Sequence, residues 1–424
     1  MKFFVIAFII FSISCSKTDN GTTLDSEQTE AETDTTDTET GDTDEKDPFF
    51  CNVLEKVAEK HIDVSGVRNK AIGMIIRVES PEISKTCAFG SVIKGENTPP
   101  EGSEQWVIGS VSKMITSFIM AQKAVELKEL SDHPAKNYLP PEWAVPDGSG
   151  DKKFTLTHLM THTSGLPRYP PTLQESIKNA SSLEDMYAAW EEYTIDDLER
   201  DLAETTLEFD PETNYYYSDY GFALVQKATE EIYEKPFPEI LADFSKLMGL
   251  KNTVVPENLS ENQKSNLFYG HGGPNIVPMP KPVVTPVFTG DGFIYSDAED
   301  MGKLLRIFTG IDESPNENAT NTLELLKEKR FPREAEEISV AQGLGIGIIT
   351  EGDFTLYKKN GTSAGTTTAF LWDEKNHLGV VAAGNVIPFS EGVNLAVCET
   401  YSIIAENSDI EVPSKVIKSC QIAF

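Results

Sequence analysis

Positive charge is scarce in this chain of 424 residues: 36 lysines and arginines stand against 68 aspartates and glutamates, for a formal charge of −32. Such a surface has little with which to neutralise phosphates, so a nucleic-acid partner is not expected, and the acidity serves solubility. Histidine and cysteine are also few, at six and five. No cysteines have metal-ligand spacing. His158 and His162 lie four apart on an expected helix, but Leu159 follows the first where the zinc-protease pattern needs Glu. No metal and no cofactor is therefore expected. Long hydrophobic runs are missing too; the one from Phe3 to Phe11 is too short to span a bilayer.

That short run has another meaning. A lysine precedes it and small residues follow it up to Cys15, which is a secretory signal pattern over residues 1–14. Ser12-Ile13-Ser14-Cys15 resembles a bacterial lipobox, with Ser12 where such boxes usually carry Leu. Cys15 would then be the lipidated first residue of the mature protein; the alternative is an ordinary signal peptide cut near Ser14 or Ser16. From Ser16 to Pro48 the chain is Thr, Asp, Glu, Ser and Gly with almost no apolar side chain. It cannot bury enough surface to offset its ordering entropy, so residues 15–48 read as a lipid-anchored acidic tether. The stretch holds twelve acids and two lysines, a charge of −10, and leaves about −22 of the −32 to the rest of the chain. The expected location is exported and lipid-anchored to the bacterial cell envelope, on its periplasmic or surface side.

Cys51, Cys87, Cys398 and Cys420 remain, an even number that suggests two disulfides in an exported protein, with three pairings possible. Residues 48–59 read as a short amphipathic helix, and 71–80 with 84–92 as a hairpin. Met114, Ile115, Phe118, Ala121 and Val125 share one face of a helix beginning near Ser110. From there to about residue 335 the chain is mostly helices and proline-rich connectors. Among them Ser296 and Glu299 have capping-box spacing ahead of a helix running to Phe308, and GPNIVPMPKPVVTP must be an exposed or pocket-lining loop. Strand signals return in GLGIGII, DFTLYKK, TTTAFLW and HLGVVAAG, and a last helix covers about 391–405. Strands at both chain ends with helices between predict an α+β fold, in which the two ends build one sheet and a helical lobe is inserted.

The residues with chemical potential begin in GSVSKMIT, 109–116. On a helix starting at Ser110, Lys113 lies one turn on along the same face, within reach of the serine hydroxyl, while Ser112 faces away. A helix N-terminus also supplies free backbone N–H groups where negative charge develops. Ser-x-x-Lys alone is weak, since ordinary composition gives roughly one or two in a chain of this size. Three downstream stretches add weight to it. FTLTHLMTHTSGLP, 154–167, then Tyr217-Ser218-Asp219, then Lys359-Asn360-Gly361 stand in an order that resembles the serine penicillin-recognising family, the class C β-lactamases, DD-peptidases and related esterases. In that family the three stretches are THxxTHTSGLP, Tyr-x-Asn, and Lys-Thr-Gly or His-x-Gly. The resemblance spans about residues 50–405.

The resemblance implies a β-lactamase/transpeptidase-like fold, an antiparallel sheet flanked by terminal helices. It implies an acyl-enzyme on Ser110, with Lys113 and Tyr217 sharing the proton work and either able to act as the base. Backbone N–H groups of Ser110 and Thr362 would form the oxyanion hole, and Asp219, Lys359, Asn360 and Gly361 would meet a small-molecule or peptide acyl substrate. His158 and His162 become structural, holding the turn at Ser164-Gly165. Asp219 is a departure: the family's Asn both accepts from the lysine and donates to a substrate acylamide carbonyl, and an ionised Asp only accepts. That favours esters over peptides and β-lactams and predicts an ion pair with Lys113, shifting base duty towards Tyr217. The expected function is a cell-envelope serine hydrolase, DD-carboxypeptidase-like or esterase. The alternatives are a catalytically weak binding module on the same scaffold and a true β-lactamase.

A rival nucleophile exists on paper. GTSAG, 361–365, fits the G-x-S-x-G elbow, with Asp373 and His377 in the right chain order. An elbow needs a helix after its serine, and TTTAFLW reads as a strand. Ser363 is expected in a turn.

Overall fold

A computed structural model describes residues 48–66, 70–127, 133–272, 275–279, 281–333, 338–386 and 391–420. The signal pattern, Cys15 and the acidic tether lie outside these residues.

The sheet is built from both chain ends, as the strand signals predict. Its strands are β1 (Gly73–Glu79), β2 (Ser84–Gly90), β3 (Phe331–Arg333), β4 (Ser339–Gln342), β5 (Gly347–Glu351), β6 (Phe354–Ser363), β7 (Thr366–Asp373) and β8 (Leu378–Gly384). They lie antiparallel in the order β2-β1-β8-β7-β6-β5-β4-β3, so the amino-terminal hairpin is stitched to the carboxy-terminal meander by the β1–β8 pair. Both faces are covered. The side chains therefore alternate between two apolar environments rather than between oil and water, and β7 and β8 are buried at every position.

One face of β7, Ala369 and Leu371, joins Leu54 and Val57 of helix α1 (Pro48–His61) and Val397 and Tyr401 of the late helix Glu391–Asn407. The other, Phe370 and Trp372, joins Phe118 of helix α2 (Val111–Leu127) and Leu304, Leu305 and Phe308 of helix Ala298–Phe308. The helical lobe between β2 and β3 continues this second core. Its helix α3 (Asp219–Tyr233) packs beside α2 and is buried along most of its length.

Four local differences from the sequence reading have physical causes. β3 and β4 carry no strand signal, because FPREAEEISVAQ holds a proline and many charges; they form the sheet edge, where both are tolerated. GLGIGII becomes a strand only at Gly347. Before it, Gly345 adopts φ +69° and sits against Ser117 of α2, donating its N–H to Met160 O. The helix to Phe308 is capped by Asp297, which accepts from Asp300 N, while Ser296 lies in a two-residue ladder and bonds Thr253. Within the proline-rich loop, His271–Gly272 pair with Val277–Pro278.

Cysteine pairing, open in the sequence, is Cys51–Cys87 and Cys398–Cys420. The first ties α1 to β2; the second ties the late helix to the terminal helix Ser414–Ser419, a short element that no sequence signal marks. Replacing Cys51 and Cys87 together by serine frees a loop with a sequence separation of 36. The expected loss is about 2–4 kcal/mol, read as a lower denaturant midpoint. A midpoint unchanged from the parent would show that this strap carries no stability.

Candidate active site

The first turn of α2 is forced against strand β6 by two glycines. Gly109 has φ +57°, and a Cβ there would collide with the backbone of Gly361 and Thr362. In return, a Cβ on Gly361 would lie 2.6 Å from Ser110 N. No other residue type allows both chains so close. The backbones of Ser110 and Thr362, the expected oxyanion pair, thus come together at a helix N-terminus.

Lys113 follows one turn later and is wholly buried, with 0 % of its side chain exposed. Its Nζ donates to Ser110 Oγ at 3.1 Å, to Asp219 Oδ1 at 2.7 Å and to Asp291 O at 3.0 Å. Asp291 Oδ1 lies nearer still, 2.5 Å from Nζ, but outside the line of those hydrogen bonds. Burial alone would favour the neutral amine. Attraction to the carboxylate of Asp219, ahead of its other neighbours, outweighs it and holds Lys113 above the ordinary lysine range.

Asp219 is the first residue of α3. The helix is capped by Ser218, whose Oγ accepts from Gly221 N and donates to Pro167 O, while Asp219 N donates to Arg168 O. Its carboxylate is thereby aimed inward. Burial disfavours its charge, yet Lys113 and then Arg168 keep it below the usual carboxylate range. Arg168 Nη2 is 3.4 Å from Asp219 Oδ2, with 48 % of the arginine side chain exposed.

Tyr217 stands between these charges. Burial pushes its ionisation up against the opposing pull of Lys113, and the neighbouring Ser110 hydroxyl eases it slightly. Three basic side chains flank the ring, Lys113 at 5.0 Å, Arg168 at 5.1 Å and Lys359 at 5.2 Å from its centroid. His162 supports it from another side. The two rings stack at 4.2 Å, and His162 Nδ1 accepts from Ser218 N. Desolvation followed by repulsion from Lys359 and Lys113 keeps the imidazole neutral.

The signature THTSGLP thus acts as a brace for the Tyr217–Asp219 segment. The helix carrying His158 ends at Met160, and His162 has φ +60°, so the two histidines do not share a helix. His158 closes a capping box with Thr155. Gly165, at φ +84°, passes against Phe209 O, where a Cβ has no room.

Lys359 and Gly361 face the site from β6. Lys359 Nζ is buried and has no hydrogen-bond partner among the described residues. Desolvation, then repulsion from Lys113, holds its amine well below the ordinary lysine range. Asn360 belongs by strand alternation to the opposite face, with Lys358, whose Nζ donates to Cys420 O. It does not join the cluster.

Ser363 is not in the turn expected for it but is the last residue of β6, paired with Thr366. Ala364 at φ +40° and Gly365 at φ +85° make the two-residue turn between β6 and β7. Asp373 is at the far end of β7, about 23 Å away by strand rise; it accepts from Tyr401 Oη, while His377 bonds Thr309 O. These three residues do not meet.

Two charged members of the site carry no motif in the sequence, Arg168 just after GLP and Asp291 inside TGDG. An aspartate between two glycines, followed by an apolar run, is the one available signal for the second.

The β-lactamase family model matches residues 86–391. A D-alanyl-D-alanine-carboxypeptidase/endopeptidase, AmpH of Escherichia coli K12, is 23 % identical over 381 residues, covering 86 % of this chain and 92 % of the relative. The teichoic acid D-alanine hydrolase of Staphylococcus aureus is 25 % identical over 226 residues, covering 53 % and 50 %. Among solved structures, the β-lactamase/D-alanine carboxypeptidase of Yersinia pestis, complexed with citrate, has a TM-score of 0.66 at 22 % identity, covering 84 % of this chain and 98 % of its own. The class C β-lactamase of Rhodobacter sphaeroides also has a TM-score of 0.66, at 18 % identity, covering 84 % and 99 %. With the family model matched across most of the fold and carboxypeptidase relatives along its length, the chain belongs to the β-lactamase family of serine hydrolases.

Proposed function

We propose that this chain is an envelope hydrolase that forms an acyl-enzyme on Ser110, with esters favoured over peptides and penicillins. The observation that carries the reading is the Ser110 hydroxyl held between Lys113 Nζ, at 3.1 Å, and Tyr217, at the helix end that abuts Gly361 and Thr362.

Lys113 is an ammonium whose hydrogens are already committed, so it does not take the serine proton. Tyr217 is the remaining base. In the empty site burial keeps it a phenol, and near its ring lies Lys359, whose amine is held well below the ordinary lysine range. Transfer of the phenol proton to Lys359 gives phenolate and ammonium without a net change of charge, and a substrate carboxylate beside Lys359 favours that state. The phenolate then takes the Ser110 proton as Oγ attacks the acyl carbon. The backbone N–H groups of Ser110 and Thr362 receive the developing oxyanion. Tyr217 returns the proton to the leaving oxygen, and water repeats the sequence on the acyl-enzyme.

Asp219 supports the ester reading. Where an amide would donate to an acylamide carbonyl, this chain presents a carboxylate bound to Lys113 and Arg168. The relatives named for D-alanyl-D-alanine and for teichoic acid D-alanine agree with a small D-configured acyl group. A signal pattern ending at Cys15 ahead of an acidic tether supports a lipid anchor at the envelope.

Three outcomes are expected. Ser110→Ala abolishes hydrolysis of a nitrophenyl ester while Ser363→Ala keeps most of it; loss in the Ser363 variant alone would overturn the assignment. Cys15→Ala moves the protein from the membrane to the soluble fraction of fractionated cells, and retention in the membrane would mean another anchor. Asp219→Asn restores a donor at nearly constant volume, and such a contact contributes roughly 1.5–3 kcal/mol. Acylation by a penicillin should then rise about tenfold or more relative to ester hydrolysis, since ~1.4 kcal/mol in barrier is tenfold. An unchanged ratio of second-order rates assigns the donor role to Arg168 and replaces the ester reading by the peptidase one.

A further inference from the structure

Four oxygens surround Lys113 Nζ, and an ammonium has three hydrogens. Ser110 Oγ, Asp219 Oδ1 and the carbonyl of Asp291 take them. The fourth oxygen, Asp291 Oδ1, is 2.5 Å from Nζ, buried, and without an aligned hydrogen bond among the described residues. Proton transfer between Ser110, Tyr217 and Lys359 gives no reason for a buried carboxyl oxygen this close to a cation and outside its three aligned hydrogen bonds.

The Asp291 backbone is firmly held. It lies in the single helical turn Thr289–Gly292, where Gly290 N donates to Gln226 Oε1 and Gly290 O accepts from Thr116 Oγ1 at 2.6 Å. A Cβ on Gly290 would press on Phe237 and Thr116, each 2.8 Å away. The turn is wedged between α2 and α3, so its aspartate cannot swing out to water.

We infer that Asp291 is a positioning residue, a second counter-ion that keeps Lys113 charged and aimed at Ser110 whenever Asp219 is protonated, engaged by substrate or replaced. The inference rests on the Ser110 reading for its catalytic meaning, but its geometry does not.

The groups facing this carboxyl set its state. Lys113 and Ser110 come from α2, Asp219 from α3, Tyr217 from the segment before it, His162, Arg168 and Tyr169 from the brace, and Lys359 from β6. With Asp219 ionised, burial and repulsion from Asp219 hold Asp291 well above the carboxylate range. Removing the Asp219 charge removes that repulsion and leaves Lys113 as the dominant neighbour. Asp291 then ionises, and Lys113 Nζ re-aims over a fraction of its bond length to Oδ1. Only loss of both carboxylates strands the ammonium in an apolar site, where it gives up its proton.

The test compares the parent, Asp219→Asn, Asp291→Asn and the double variant. Acylation of Ser110 by a nitrophenyl ester is followed from about pH 6 to about 10.5, and the melting temperature over the same range. Both single variants should keep the parent's pH profile to within about half a unit, and the double variant should shift it by more than about one unit as Lys113 becomes titratable. The melting arm has a fixed sign. A lysine held above its unfolded value of about 10.4 contributes stability throughout about pH 7–10; one held below that value is destabilising at about pH 7, and the penalty fades as pH rises. Relative to the parent, the double variant alone should therefore gain melting temperature between about pH 7 and 10. Adding Lys113→Met should abolish that gain and rescue folding if the double variant does not fold at neutral pH.

Repeating the melts with Ser110→Ala separates this inference from the choice of nucleophile. If Asp219→Asn alone shifts the profile and the melting slope, or if the double variant shifts neither, Asp291 is not a second counter-ion.

Discussion

A lysine ammonium sealed from water is the constraint around which this site is assembled. Taking an isolated cation out of water costs several kcal/mol or more, and only close anions and aligned acceptors offset it. Lys113 obtains these from three separate parts of the chain: its own helix, the start of helix Asp219–Tyr233, and the turn 289–292. Each must hold its backbone to within a few tenths of an ångström for the others to remain satisfied. The tight seat of Gly290 against Thr116 and Phe237, and the capping of the Asp219 helix by Ser218, are consequences of that demand.

The second constraint is steric. Gly109 and Gly361 let a helix start and a strand end touch backbone to backbone, which fixes Ser110 against the sheet. A site resting on a central sheet strand and a buried helix moves little, because both are packed on two sides. The helical lobe contributes what the sheet cannot, a second wall carrying Tyr217 and Asp219. His162 shows how the lobe does this: its backbone turns at φ +60° to leave the preceding helix, and its ring then lies flat on Tyr217. A motif legible in the sequence as THTSGLP has its physical meaning only there.

Legibility in the sequence tracks the strength of local signals. Strands β7 and β8 are apolar, and their sequence signals fall on them nearly to the residue, whereas β6 runs four residues past its signal, through the polar Asn360-Gly361-Thr362-Ser363. The edge strands are hidden because Pro332 and the charges around it suit an edge and resemble a connector. Three short stretches point to Ser110, Lys113, Tyr217, Asp219 and Lys359, and the structure brings these side chains together. Asn360 belongs to the same stretches and faces the other way, since neighbours on a strand point to opposite sides of the sheet. Arg168 and Asp291 escape a sequence reading because charge partnership between distant segments leaves no period and no spacing; nothing in TGDG itself says that a lysine 178 residues earlier is waiting for it.

The charges of the empty site do not cancel. Four basic side chains, Lys113, Arg168, Arg333 and Lys359, meet the two carboxyl groups of Asp219 and Asp291 there, and burial holds Lys359 well below the lysine range and Asp291 well above the carboxylate range. Basic groups thus gather at one place in a protein whose formal charge is −32. A lone positive region on an acidic surface focuses the local field and draws anions to one place while the remainder repels them. An arriving carboxylate completes the balance and makes ammonium the favoured form of Lys359. The same event gathers a third positive charge around the ring of Tyr217, so the phenol becomes easiest to ionise only when a substrate of the right charge is present. On the proposed reading, selectivity for an anionic substrate and activation of Tyr217 as the base are one electrostatic event, and it depends on Lys113 remaining an ammonium throughout.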